Sequence, residues 1–196
     1  EGGRSLVMGR LLGEISRSLP AGRPVDVSTQ GNKVQVTCGS SRFALLQMPV
    51  DDYPTLPASP EASGQIAGDV FTQAVQQVAV AADRGDTLPI PTGVRMSIDG
   101  DKVTLLATDR YRLAMRELAW SPAASDAAYT ALIPAKTLSD TAKALGAQGS
   151  IELALGGNAG GDGLIGFEAG QRRATTRLLD GEYPKVTSIF PTSVDT

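Results

Sequence analysis

The chain has 196 residues, of which 41% are hydrophobic and 20% are charged, and its net charge is -3. This length allows one large or two modest domains with real cores, and no apolar stretch approaches the ~18 residues that a membrane helix needs. Because the sequence has no histidine and a single cysteine, it lacks the common zinc ligands and the common nucleophile–base pairs. Catalytic, metal-dependent and cofactor-dependent functions are therefore disfavoured.

The first part of the chain predicts a helix followed by an antiparallel sheet. Residues 7–19 carry apolar side chains at helical spacing, and a Pro-Ala-Gly break follows them. Across residues 25–48 apolar and polar side chains alternate between turns, which is typical of half-buried strands. Residues 51–63 are rich in Pro, Ser and Asp and predict a linker.

The middle of the chain predicts a second helix and a second set of strands. The apolar spacing predicts a helix over 69–83, with glutamines on its other side. Asp99-Gly100 is a strong hairpin signal between two alternating segments. After a turn at Thr108-Asp109-Arg110, a further strand is predicted over 111–118.

A third helix and its strands complete the pattern. The helix is predicted over 135–145, and strands are predicted near 150–155, 163–168 and 172–179. The glycine-rich stretch 156–163 has the composition of a phosphate-binding loop. It lacks the following Lys-Ser/Thr and lies between two strands, so a hairpin tip is expected.

The chain repeats itself. Residues 7–19 match residues 133–145 class for class and without a gap, and each segment leads to a β-rich stretch that ends in an acidic residue, Tyr and Pro. A shorter match joins the Gly-Asn-Lys-Val at 31–34 to the Gly-Asp-Lys-Val at 100–103. Such self-similarity predicts repeated units of a helix packed on an antiparallel sheet, and hence an α+β fold.

The matched helices carry matched cations. Arg10 and Arg17 lie seven residues apart on the first helix, and Lys136 and Lys143 lie seven apart on its repeat. Seven residues are nearly two turns, so each pair lies on one face with about 10 Å between its members. A solvated surface with scattered cations explains either pair alone. Recurrence favours a shared function, and inward-facing copies would form a positive cavity that suits a phosphate backbone.

Carboxylates offer an alternative function. The clusters Asp51-Asp52, Asp109, and Asp180 with Glu182 are of the kind that a metal-dependent nuclease uses. Acids beside such turns more commonly serve in turn and cap hydrogen bonds. DNA cleavage that needs Mg²⁺ and is lost on Asp109→Asn would favour the nuclease.

Three segments together resemble the bacterial sliding clamp, the β subunit of DNA polymerase III. They are ATDRYRLA at 107–114, the Arg42-Phe43 strand that leads to PVDDYP at 49–54, and LLDGEYP at 178–184. The resemblance covers essentially the whole chain and is nearest to actinobacterial members. It implies a non-catalytic processivity factor with a DNA-clamp fold of pseudo-twofold domains, in which two crescent subunits form a ring with helices around the hole and sheets outside.

The resemblance also implies how the chain is divided. Residues 1–55 correspond to the second half of the clamp N-terminal domain, residues 56–190 to the complete central domain, and residues 191–196 to the lead into a C-terminal domain. The family forms a homodimer through its first and third domains, so this chain is expected to be a fragment that does not close a ring alone. A cytoplasmic location is expected, since no signal core is present and the lone Cys38 fits a reducing compartment.

Two functional surfaces follow from the resemblance. One contacts double-stranded DNA without sequence preference, and its residues are Arg10, Arg17, Gln73, Gln77, Lys136 and Lys143. The other is an apolar cleft that binds short peptides of the polymerase III alpha subunit, the clamp loader and other proteins with a clamp-binding motif. Its matching positions are Pro91, Thr108, Arg110, Tyr111, Arg112, Leu113, Pro184, Ser188 and Ile189. Packing is an alternative explanation for Arg112 and Leu113, because they repeat Arg42 and Phe43.

Overall fold

The computed structural model describes residues 2–55, 58, 60–83, 85, 92–156, 163–184 and 186. The chain divides into two compact units, unit 1 (residues 1–57) and unit 2 (residues 58–196). Within the described ranges, no helix is both long enough and apolar enough to cross a membrane.

Unit 1 is a helix followed by an antiparallel meander. Its elements are α1 (Gly9–Ser18), β1 (Asp26–Gln30), β2 (Lys33–Cys38), β3 (Ser41–Leu46) and a 3-10 turn at Val50–Asp52. The strands lie in the order β1-β2-β3. Ile15 of α1 and Leu19, directly after the helix, pack with Val34, Val36 and Leu45 of the sheet.

Unit 2 contains two helices and two antiparallel sheets in its described residues. Its first half comprises β4 (Ala62–Ala67), α2 (Gly68–Ala79), β5 (Gly93–Asp99), β6 (Lys102–Thr108), β7 (Leu113–Ala119) and the short β8 (Ser121–Pro122). Its second half comprises β9 (Ala128–Pro134), α3 (Ala135–Leu145), β10 (Ser150–Gly156), β11 (Leu164–Ala169) and β12 (Arg172–Arg177).

The strand order relates the two halves of unit 2 by a pseudo-twofold. One sheet has the order β12-β11-β10-β4-β8 and the other the order β7-β6-β5-β9. In each half a leading strand, a helix and a three-stranded meander follow one another, and each leading strand pairs with the other half's meander. This exchange of leading strands joins the two halves into one domain, and the predicted α+β fold of helices packed on antiparallel sheets is confirmed.

The core of unit 2 lies between the helices and the inner faces of both sheets. Phe71, Val75 and Val78 of α2 are fully buried, and they recur at the i, i+4, i+7 spacing that lines one face of a helix. Phe71 reaches the other half, where its ring centroid lies 5.6 Å from that of Phe167 on β11.

Gly146 ends α3 with φ +84°, a conformation that glycine adopts without steric cost.

The helices α2 and α3 run antiparallel. Near the start of α2, the Gly68 N–H donates to the Gly149 carbonyl at 2.8 Å, and the Thr72 hydroxyl donates to the Gly146 carbonyl at 3.4 Å. The first turn of α2 therefore lies beside the end of α3.

Some elements differ from the sequence prediction. The predicted linker over 51–63 contains the 3-10 turn and the start of β4, and the strands β4, β8 and β9 were not predicted. The sequence of β4 is polar, contains a glycine and shows little alternation of apolar and polar residues. It is a strand because it pairs with β10, and this pairing is not visible in its composition. The glycine-rich 156–163 stretch does join paired antiparallel strands, as expected of a hairpin, although residues 157–162 lie outside the described residues.

Candidate functional site

The helices α1 and α3 begin at the same position of the repeat. Met8 directly precedes α1 and Pro134 directly precedes α3, and these two residues are aligned in the sequence match. Neither residue offers a side-chain cap to the free amide groups of the first turn. The alignment that was read from sequence therefore holds at the level of the helix register.

Each of these helices exposes a row of three charges in the order cation, acid, cation. The rows are Arg10, Glu14 and Arg17 on α1, and Lys136, Asp140 and Lys143 on α3. In α1, Arg10 Nε lies 3.2 Å from Glu14 Oε1, and in α3, Lys136 Nζ lies 2.8 Å from Asp140 Oδ2. The i, i+4, i+7 spacing places each row on one helix face. We call these six residues the charge rows.

The ion pair in α3 shifts the pKa of both partners. The hydrogen bond to Asp140 raises the pKa of the Lys136 ammonium, and the hydrogen bond from Lys136 lowers the pKa of the Asp140 carboxyl. The charge of Lys143 lowers the Asp140 pKa further, which indicates that the acid interacts with both cations of its row. Both shifts favour the ionised forms of Lys136 and Asp140.

A groove of about 730 Å³ lies between the end of α2 and the start of α3. Lys136, Ser139 and Lys143 line its α3 side, and Gln76 lies on its α2 side. Gln73 and Gln77 are exposed on α2 but are not among the described lining residues of the groove. The groove thus brings the α3 charge row beside an uncharged polar residue of α2.

The second candidate surface is built around the turn between β6 and β7. The Asp109 carboxylate accepts hydrogen bonds from the Tyr111 N–H at 3.0 Å and the Arg112 N–H at 2.7 Å, while Arg112 Nε and Nη2 reach its other oxygen at 2.9 and 2.7 Å. The Thr108 hydroxyl donates to the Arg112 carbonyl at 2.7 Å and accepts from the Arg110 N–H. Arg110 has φ +77°, which is unusual for a residue other than glycine.

These hydrogen bonds hold the turn in one conformation, and the side chain of Tyr111 takes no part in them. The side-chain and backbone hydrogen bonds from Arg112 lower the pKa of the Asp109 carboxyl to about 2. Tyr111 at the tip of the turn is 91% exposed. The turn therefore presents a large amphipathic side chain that has no packing role among the described residues, a pattern typical of binding surfaces.

An apolar cluster lies beside this turn, on the face of the β7-β6-β5-β9 sheet that points away from the helices. Its members, which we call the outer cluster, are Leu106, Leu113, Leu132, Leu179, Tyr183 and Val186. The close packing depends on Gly93, because a Cβ atom there would lie 2.6 Å from Leu132 Cδ1 and 3.0 Å from Leu179 Cδ1. Burial raises the pKa of the Tyr183 hydroxyl.

The structure brings together most of the predicted cleft residues that it describes. Thr108, Arg110, Tyr111 and Arg112 share one turn, and Leu113 packs in the outer cluster with Tyr183, whose chain neighbour is the exposed Pro184. The remaining predicted positions lie outside the described residues. They are Pro91, Ser188 and Ile189.

Several residues of both surfaces were not singled out from sequence. The acids of the charge rows were present in the aligned segments, and their i, i+4 spacing to the first cation was a usable signal. Leu132 of the outer cluster could have been found from alternation, had β9 been recognised as a strand, and Leu106 could have been found from the alternation of the predicted strand that is β6. The sequence places three glutamines on α2 but does not reveal that Gln76 is the one that lies beside α3.

The carboxylates of the nuclease alternative do not gather in the described part of the chain. Both oxygens of Asp109 are engaged by Arg112 and the turn backbone. No group of three or more acidic, histidine or cysteine side chains suited to a metal ion occurs among the described residues.

Comparison with known families identifies two matching regions. Residues 1–57 match the family described as "DNA polymerase III beta subunit, N-terminal domain". Residues 65–185 match the family described as "DNA polymerase III beta subunit, central domain".

Individual proteins agree with these matches. The chain is 58% identical over 192 residues to a beta sliding clamp of Streptomyces coelicolor, covering 98% of this chain and 51% of the relative. It is 53% identical to a beta sliding clamp of Micrococcus luteus, covering 97% of this chain and 60% of the relative. A crystal structure of a DNA polymerase sliding clamp from Bacillus subtilis superposes with a TM-score of 0.81 at 29% identity, covering 97% of this chain and 49% of that one. The chain thus spans about half to three fifths of these proteins.

Proposed function

The chain belongs to the DNA polymerase III beta subunit family, and we propose that it acts as part of a sliding clamp, the non-catalytic processivity factor of the replicative polymerase. In this role it encircles duplex DNA in the cytoplasm, as part of a homodimeric ring, without reading the base sequence. We assign residues 1–55 to the second half of the N-terminal domain, residues 56–190 to the central domain, and residues 191–196 to the lead into a further domain. The family matches at 1–57 and 65–185 support this division.

The observation that carries the DNA-binding proposal is the recurrence of the charge rows at one helix register. Although the net charge of the chain is -3, each of two diverged helices keeps two exposed cations on the same face. Cations grouped on one face are what a phosphate backbone requires, and phosphate contacts carry no sequence information. Gln73 and Gln77 belong to the same proposed surface as uncharged partners on α2.

The test compares two variants with the same change of net charge. In the first, the helix cations Arg10, Arg17, Lys136 and Lys143 are replaced by Ala. In the matched control, exposed strand cations are replaced, again two in each unit: Lys33, Arg42, Arg116 and Arg177. Fluorescence anisotropy of labelled duplexes of unrelated sequence, measured over a salt series, reports affinity and salt dependence.

We expect the helix variant to lose affinity for every duplex and its salt slope to flatten by up to about 3 to 4, since each neutralised phosphate contributes about 0.9. The control should lose little beyond the effect of net charge. Equal behaviour of the two variants would refute the assignment of the DNA surface.

The peptide cleft is proposed at the outer cluster and the adjoining turn. The cleft consists of Thr108, Arg110, Tyr111, Arg112, Leu113 and Pro184, together with Pro91, Ser188 and Ile189. Apolar walls beside a rigid turn that carries exposed polar groups suit a short linear peptide with apolar anchors. Its proposed ligands are the clamp-binding segments of the polymerase alpha subunit, the clamp loader and other replication proteins.

A further inference from the structure

The acids in the charge rows require an explanation of their own. Glu14 and Asp140 occupy equivalent positions in the two helices, and each holds the first cation of its row in an ion pair. A surface that only attracted phosphates would be stronger without them, because each acid lowers the charge of its row from about +2 to about +1 and repels phosphate.

Helix stability explains the arrangement only in part. An ion pair at i, i+4 stabilises a helix best when the acid is on the N-terminal side, since the acid then lies near the positive end of the helix dipole. In both rows the order is reversed for the ion pair itself, so that Arg10 and Lys136 lie in the first turn and the acids follow them, whereas each acid precedes the second cation of its row by three residues in the favourable order. Two diverged helices therefore keep the less stabilising order of the ion pair at the same register.

We propose that Glu14 and Asp140 weaken the attraction of the two helix faces for DNA, by holding Arg10 and Lys136 in ion pairs that phosphates must compete against. This inference rests on the proposed DNA-binding function. The acids make each phosphate contact easy to break, and a protein that moves along a duplex must break such contacts continually.

The geometry allows this competition. The paired cations are almost fully accessible, with 87% of the Arg10 side chain and 90% of the Lys136 side chain exposed. An ion pair exposed to this degree contributes little to stability, so a phosphate can displace the carboxylate. The acids therefore reduce DNA affinity without abolishing it.

The test uses Glu14→Gln, Asp140→Asn and the double variant of the 196-residue chain. A matched control is Glu117→Gln on β7, which makes the same charge change and also removes an exposed pair, here with Lys102 at 3.5 Å. The exposure of Glu117 is 52%, against 51% for Glu14 and 60% for Asp140. Anisotropy titrations of a short labelled duplex are run at low salt and over a salt series.

We expect each single helix variant to bind DNA more tightly than the wild type, and the double variant to gain roughly threefold to tenfold with a salt slope steeper by up to about 2. The Glu117→Gln control should gain less than either single helix variant. A second measurement follows the Asp140 carboxyl by NMR, where its pKa should rise when DNA is added, because Lys136 then turns to a phosphate.

The outcomes separate this inference from the proposed function. If the wild type binds DNA through the helix cations but the acid variants bind no better than Glu117→Gln, the inference is wrong and the function stands. If neither the wild type nor any variant binds DNA, both fail.

Discussion

Leu12 and Leu138 provide a direct test of the structure, because they are the same residue at the same position of the repeat. Leu138 on α3 is completely buried in the core of unit 2, whereas Leu12 on α1 is 41% exposed. Replacing each by Ala makes the same chemical change in two environments. We expect Leu138→Ala to be severely destabilising and Leu12→Ala to be mild.

The burial sets the expected magnitudes. Removing a fully buried leucine side chain costs about 2–5 kcal/mol, which combines lost apolar transfer energy with the cavity that remains. Leu12 already keeps much of its surface in water and leaves no closed cavity, so its loss should cost about 1 kcal/mol or less. The difference between the variants is therefore at least about 1 kcal/mol, well above the usual effect of a surface substitution.

The single tryptophan makes the assay specific for unit 2. Trp120 is 5% exposed in the same core cluster as Leu138, and its indole N–H donates to the Gly100 carbonyl at 2.8 Å. With a urea dependence of about 2 kcal/mol per M, Leu138→Ala should lower the fluorescence-detected midpoint by about 1–2.5 M. Leu12→Ala should leave that midpoint unchanged and speed amide exchange only in α1. Equal midpoint shifts for the two variants, or none for Leu138→Ala, would refute the burial argument.

Other predictions concern the cleft. Gly93→Ala forces a Cβ atom against Leu132 and should destabilise unit 2 by about 1–3 kcal/mol, seen as a lower Trp-detected midpoint, and an unchanged midpoint would contradict the packing described here. The Asp109 pKa is depressed in the folded state, so its stabilisation of the turn is present above the ordinary value of 3.8 and is lost as the pH falls through about 2. Arg112→Ala should return this pKa toward 3.8, which a carboxyl NMR titration measures, and a pKa still near 2 would mean that Arg112 is not its main cause. Leu113→Ala should weaken binding of a labelled Gln-Leu-rich polymerase-tail peptide by about fivefold or more in a direct titration; an equal loss in Leu46→Ala, an exposed leucine of unit 1, would place the cleft elsewhere.

Much of the fold could be predicted from local patterns. The helix register, the β5–β6 hairpin at Asp99-Gly100 and the repeat itself depend on side-chain spacing and turn chemistry within short segments. The predicted start of α3 at residue 135 is confirmed, whereas α1 begins at Gly9 rather than at residue 7. Such features are readable because they are set by interactions between residues close in sequence.

The candidate surfaces were readable in part. The recurrence of cations at one helix register predicted the four cations of the charge rows, and the Thr-Asp-Arg motif predicted the turn before β7. The acids Glu14 and Asp140 were not predicted as part of this surface, although their i, i+4 spacing to the first cation of each row is visible in the sequence.

The tertiary structure alone decided the rest. It determined that β4 and β9 exchange between the halves of unit 2, that Leu138 is buried while its repeat partner Leu12 is not, and that the distant residues Leu113 and Tyr183 meet in one cluster. Each of these facts depends on pairing or packing between segments far apart in the chain. Local periodicity shows which face of an element is apolar, but only the assembled sheets and helices determine what that face is packed against.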